Sequence, residues 1–321
     1  MGELGRRTVS LDILKVLMAM MVVGIHCEIG YDISHLYGEV LVDGIFRIAV
    51  PIFFIINGYF FFDIVRRQTI TPWLKRIGGM YLAWMIIYAI FWFDTSYISP
   101  AAFKSFVNQI ITGYAHLWYV AAMIPAGMML FGLSFVNFAF AFSVVISLFL
   151  VGVLIQYFGN FHVFSGGLDL ALNKPWYHRN GIFTGLPFMF IGYGLRKYNV
   201  VNALSGRTLY CLLLVGLVLG VVEVFLNYKY SPPDQSTENL IFLFVLCPVI
   251  FIFACRVKVY SKRRDLSDFA SGLFFVHFAV VILVDRYMGI SSIATTFVVV
   301  LISSAMAMLV VQINRRVGVL L

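Results

Sequence analysis

The chain has 321 residues, of which 61% are hydrophobic and 12% charged, and a mean hydropathy of +0.93. That balance is too apolar for a water-soluble globule and describes a polytopic membrane protein. The formal net charge of +8 calls for no nucleic-acid partner, because basic loops on the inner side of a bilayer are an ordinary result of insertion and of contact with anionic lipid.

Apolar runs close to the roughly 20 residues that cross a bilayer recur along the chain and predict an all-α protein. We read ten helices, at about 10–28, 41–63, 76–93, 116–134, 137–155, 182–195, 208–226, 239–255, 269–287 and 292–312. With the N-terminus inside, sixteen Lys and Arg fall in the inner loops and five in the outer ones. That asymmetry predicts that both termini are cytoplasmic.

The first helix, SLDILKVLMAMMVVGIHC, places Asp12, Lys15 and His26 in an otherwise apolar run. At 100° per residue the eleven-residue step from Lys15 to His26 returns to within roughly 20° of one face, and Asp12 shares it. Lys15 and His26 are then roughly 16 Å apart along the axis, one near each end of the span. Ionisable groups at this depth need a wet or paired interior, so the face is expected to line a cavity. The run is full length with no small-residue cleavage site after it, so it is expected to stay in the mature protein.

Residues 29–40 read as a solvated, mildly acidic outer loop with Glu28, Asp32, His35 and Glu39 in or beside it. The second span, FRIAVPIFFIINGYFFF, carries Arg47 near its outer end, which must snorkel or face the cavity. Pro51 and Gly58 predict a bend or a close helix contact there. Residues 94–115 form a longer outer segment, with Asp94, Pro100 and Lys104, that suits an amphipathic helix. His116 and Trp118 then open the fourth span, as interface anchors or as site residues. The outer loop of about 156–181 carries His162, Asp169, Lys174, His178 and Arg179 among aromatics; it serves as a connector or binds a glycan, and Arg179 at its end is the residue best placed for a site.

The inner loop of 256–268 is basic, with Lys258, Lys262, Arg263 and Arg264, by insertion or for contact with phosphates. His277, near the middle of span nine, needs a partner for its buried polar ring. Cys27, Cys211, Cys247 and Cys255 have no metal spacing and read as buried small hydrophobes. No phosphate-binding glycine loop, HExxH or GxSxG segment occurs.

Together, LDILKVLMAMMVVGIHC and RIAVPIFFIINGYFFF resemble the two opening motifs of the acyltransferase family 3 membrane proteins, in which an Asp and a basic residue precede a His and a Pro-x-Phe-Phe-x-x-Ser-Gly segment follows. HLWYV at 116–120, LPFMFIGYGLR at 186–196 and GLFFVHFAVV around His277 are similar to later segments of that family, in its order. The layout is closest to its surface-polysaccharide O-acetyltransferases. Asn57 stands where the family usually has Ser, Gly79 where many members have a second Arg, and Phe275 where an aromatic hydroxyl is common.

The resemblance implies one transmembrane domain over 1–321, sited in a bacterial inner membrane, with acetyl-coenzyme A as the donor and no permanently bound cofactor or metal. It implies a surface glycan or lipid-linked saccharide as the acceptor. On this reading His26 is general base or acyl carrier, Arg47 stabilises developing charge, and Asp12 orients Lys15. Lys15, Lys75 and Arg76 meet the donor, and His116, Trp118, Arg179 and Asn57 meet the acceptor. The alternative is a transporter or glycan exporter whose path is lined by helix one.

Overall fold

A computed structural model describes residues 7–94, 102–232, 237–257, 259–261 and 265–321. Pro100, Lys258, Lys262, Arg263 and Arg264 lie outside these. The described chain is almost wholly helical; a two-residue antiparallel bridge pairs Arg7 with Ser261 and Thr8 with Tyr260.

In chain order the main helices are α1 Val9–His26, α2 Ala49–Arg67, α3 Ile70–Ile87, α4 Phe103–Thr112, α5 Trp118–Leu133, α6 Phe138–Asn160, α7 Leu186–Lys197, α8 Gly206–Tyr230, α9 Ile241–Arg256, α10 Asp265–Met288 and α11 Ser292–Val317. Seven helical stretches among the described residues are long and apolar enough to cross a membrane. They are α1, the stretch 35–67 that ends in α2, the stretch 115–133 that contains α5, and α6, α8, α10 and α11. The other three expected spans are helical as well. Of these α3 carries Lys75 and Arg76, while α7 and α9 have 12 and 16 residues. The protein is an all-α, multi-pass membrane protein.

Chemistry at the helix ends accounts for the joins. In α1 the right-handed helix stops after His26 because Glu28 takes a positive φ of 49° and Gly30 one of 93°. At the other end of α1, the Ser10 Oγ lies 2.6 Å from the Ala254 carbonyl oxygen and the Val9 amide donates to Val259 at 2.7 Å. Arg315 pairs with Asp265 at 3.2 Å. The start of α1, the 259–261 segment, the start of α10 and the end of α11 therefore gather at one end of the bundle.

The closest packing is between α2 and α7. An added Cβ would meet the Met189 carbonyl oxygen at 1.9 Å from Gly58 and the Ile55 carbonyl oxygen at 2.0 Å from Gly192. Small residues let backbones approach where lipid offers no hydrophobic drive between helices. The helix α10 packs between α1 and α11, with Gly272 against Ala307. Within the apolar layer the first amides of α9 cannot turn to water. Glu223 of α8 satisfies them, accepting from Ile241 N at 2.8 Å and Phe242 N at 2.9 Å while Tyr157 donates to it at 3.0 Å.

Two expectations need correcting. The expected acidic loop of 29–40 is not open over its second half: from His35 the chain winds through a short α-turn, a π-turn over Glu39–Gly44 and a 3-10 turn into α2. The π-turn carries Glu39 and Asp43 inward, leaving both buried. Cys211 is exposed rather than buried, because α8 covers little of itself with protein and presents its apolar surface outward. Cys27 and Cys247 are buried.

Candidate active site

The face of α1 that carries Lys15 and His26 does line an interior, and that interior is divided in two. Toward the end where the start of α1 and the end of α11 gather is a cavity of about 330 Å³, walled by Lys15, Asn57, Arg76 and Ser267 among aromatic side chains. Toward the other end, a cavity of about 60 Å³ is walled by His26, Arg47, His116, Trp118, Arg179 and Glu238. Tyr119 and Phe274 line both and form the partition. Their rings lie 5.5 Å apart, and the Tyr119 hydroxyl accepts a 2.7 Å bond from Asn57 Nδ2.

In the larger cavity Lys15 Nζ donates to Ser267 Oγ at 3.0 Å. Asp12 is buried one turn below Lys15 on α1. Arg76 is exposed at the rim of this cavity. Lys75 is exposed and is not among the described residues that line either cavity. Asn57 stands beside Lys15 on this side of the partition, not with His116, Trp118 and Arg179, where the sequence reading grouped it. Position 57 sits at mid-helix in α2, ten residues and nearly three turns beyond Arg47 and its cavity, so the helix rise separates them.

The smaller cavity is the more elaborate. His26 closes the last turn of α1, and His116 is delivered by a tight turn after α4. In that turn Gly113 has a φ of 82° and Ala115 one of 45°. Such left-handed geometry at a non-glycine residue is costly and is held by its surroundings. It aims the His116 ring at His277, with centroids 4.9 Å apart, and at His26, 6.5 Å away. His26 and His277 are 5.3 Å apart.

His277 is 0% exposed, and its Nδ1 lies 2.6 Å from the Phe274 carbonyl oxygen. A carbonyl only accepts, so Nδ1 carries a proton, and in the neutral ring Nε2 keeps its lone pair. That Nε2 is buried without a hydrogen-bond partner among the described residues.

Charge enters the small cavity as a chain. Asp43 pairs with Arg47 one turn along. Glu238 lies 3.6 Å from Arg47 and 2.6 Å from Arg179. Side-chain exposures of 11% for Arg47 and 10% for Glu238 place this pair in low dielectric, where an unmatched charge is expensive. Arg179 also covers the Trp118 ring at 4.9 Å.

Glu238 was not singled out from the sequence. Its position depends on Gln156 of α6, which is wholly buried and accepts from the Glu238 and Asn239 amides at 2.8 Å each. Asn239 in turn donates to the His178 carbonyl at 2.9 Å, and Thr184 Oγ1 bonds Asn239 Oδ1 at 2.9 Å. Burial pushes the His178 imidazole down to about 4, against the opposing pull of Glu238. The sequence signal that points to this support is weak: Gln156 directly follows the expected span of 137–155, and only the helix running on to Asn160 buries its amide, which must then be satisfied. Tyr119 and Phe274 carry no such signal, since aromatic residues in membrane helices are ordinary.

Among the described residues no group of three or more His, Cys, Asp or Glu is arranged to hold a metal ion. The site as it stands offers a cluster of imidazoles, two arginines paired with carboxylates beside it and an aromatic partition behind it. These are the elements of proton abstraction and oxyanion stabilisation.

Among curated proteins, the chain is similar to a serine/alanine racemase from Enterococcus gallinarum, 29% identical over 84% of this chain and 40% of that protein. It is also similar to an amino-acid racemase from Enterococcus faecalis, 25% identical over 98% of this chain and 47% of that protein. The chain thus spans less than half the length of both relatives. No solved structure matches it. A family profile described as an acyltransferase domain matches residues 8–313, nearly the whole length, and the chain belongs to that acyltransferase family.

Proposed function

We propose that this chain is a membrane O-acetyltransferase that moves an acetyl group from cytoplasmic acetyl-coenzyme A to a hydroxyl of a bacterial surface polysaccharide or its lipid-linked precursor. The observation that carries the reading is the pair of cavities on one face of α1, with Tyr119 and Phe274 lining both. The larger, at the end where the basic inner segments gather, suits a thioester arm with Lys15 and Arg76 beside it. The smaller suits the acceptor hydroxyl. The setting is the cytoplasmic membrane, with the basic end inside.

In the reaction His26 takes the proton of the acceptor hydroxyl as its oxygen attacks the thioester carbonyl. Arg47 stabilises the negative charge that develops on the carbonyl oxygen. The carbon–sulfur bond then breaks, and the coenzyme A thiolate takes up the proton that His26 removed as it leaves toward the larger cavity. The ring of His277 lies 5.3 Å from that of His26, and its buried, unpartnered Nε2 offers the proton a place to wait before the thiolate takes it. A version in which His26 carries the acetyl group transiently uses the same geometry.

The test is transfer of label from radioactive acetyl-coenzyme A into glycan in vesicles. Wild type should transfer, His26→Ala should lose transfer while still inserting and folding, and Lys15→Ala should raise the donor KM. Full activity of His26→Ala sinks the mechanism.

A second reading makes the stacked cavities two halves of a translocation path with an amino acid as cargo. Two arginines beside Glu238 are the charges a zwitterion needs, and amino acids appear in the relatives' names. Labelled serine or alanine crossing vesicles in a His26-dependent way, with no acetyl transfer, would favour it.

A further inference from the structure

Next to the small cavity lies a second, larger space that the reaction as described does not use. It is a groove of about 470 Å³ between α4, the first turns of α5 and the segment 175–182. Asn108 and Thr112 of α4, Trp118 of α5, and Trp176 and Arg179 of the outer segment line it. Trp118 and Arg179 also line the small cavity, so groove and cavity share a wall.

The two spaces differ in a way that divides a substrate. About 60 Å³ holds only a few water-sized groups, enough for an acetyl carbonyl and one attacking oxygen. A space of about 470 Å³ falls in the range of small-molecule sites. Its lining is mostly apolar, with two indole rings and few polar groups, which is how sites grip an amphipathic ring by its apolar face and orient it by its edges. Trp176 is 39% exposed, with its neighbour Tyr177 ring at 5.0 Å, so it offers indole surface to an occupant. Asn180 is already spent: its Oδ1 accepts from Ile182 and Phe183 and its Nδ2 donates to Trp176 and Tyr177 carbonyls. It fixes the segment that carries Trp176 and leaves hydrogen bonding to Asn108 and Arg179.

We infer that this groove is the acceptor-sugar site, in which a pyranose ring of the saccharide stacks on Trp176 and is oriented by Asn108 while one hydroxyl reaches past Trp118 and Arg179 to His26. The inference rests on the acetyltransferase reading and adds to it where the sugar lies and that the acceptor is recognised as a ring rather than as a lipid tail. Trp176 and Asn108 are binding residues; neither touches the reacting atoms.

The experiment uses the full chain in proteoliposomes, with radioactive acetyl-coenzyme A as donor. Its acceptor probe is oligosaccharide released from the producing bacterium's surface polysaccharide after mild-base removal of O-acetyl groups. Trp176→Ala should raise the KM for the oligosaccharide at least tenfold with kcat changed less than threefold. Trp176→Phe should restore KM to within about threefold of wild type, and Asn108→Ala should raise it about fivefold. The KM for acetyl-coenzyme A should stay within twofold in all three. Active wild type with an unchanged oligosaccharide KM in Trp176→Ala and Asn108→Ala overturns the groove assignment, as does an equal rise in both substrates' KM. Wild type that transfers no label to any fraction overturns the acetyltransferase reading itself, a different result.

Discussion

Replacing Glu238 tests whether the small cavity is held together by its charges. Glu238 accepts from Arg179 at 2.6 Å and lies 3.6 Å from Arg47. A hydrogen bond between charged groups contributes about 1.5–3 kcal/mol, or roughly ten- to over a hundredfold in an equilibrium. Arg179 is 28% exposed, so water recovers part of its loss and the lower half of that range applies to it. Arg47 keeps Asp43, which limits its own loss. Glu238→Ala should therefore lower kcat/KM for acetyl transfer about tenfold to thirtyfold, and lower the Tm in detergent by a few degrees. Glu238→Gln keeps an acceptor without the charge and should fall between Ala and wild type. The assay is labelled acetyl transfer in vesicles, with unfolding followed by the protein's own fluorescence. If Glu238→Ala matches wild type in both, the arginine pair is not organised by this carboxylate and the electrostatic account fails.

Two further outcomes follow from packing and burial. Gly58→Ala forces a methyl against the Met189 carbonyl of α7, rigid backbone that cannot swing away. It should cost about 3 kcal/mol, the upper end for overpacking, and thermal unfolding that matches wild type would refute the close contact. His178 is held neutral, at about 4 instead of 6.5. A locally opened outer segment therefore takes up the proton first. The stability of that segment is intact above about 6.5 and is lost as the pH falls from there toward 4. Limited proteolysis of the 175–182 segment should quicken over that window, and His178→Asn should remove the pH dependence; cleavage independent of pH would count against it.

The sequence by itself determined the class of protein and one face of one helix. Composition forces the membrane, since a chain this apolar cannot remain in water. The eleven-residue step from Lys15 to His26 forces both onto one side of α1, since helix geometry is local. Gly58 announced a close approach for a similarly local reason. What tertiary structure alone decided is the partnering of distant segments. No periodicity links Glu238 to Arg47 and Arg179, or joins His26, His116 and His277, because those pairings arise where α1, α5, α10 and the outer segments meet. The same holds for the two cavities. Sequence spacing put Lys15 and His26 at opposite depths, but only the packing of Tyr119 from α5 against Phe274 from α10 makes that separation a wall between two rooms.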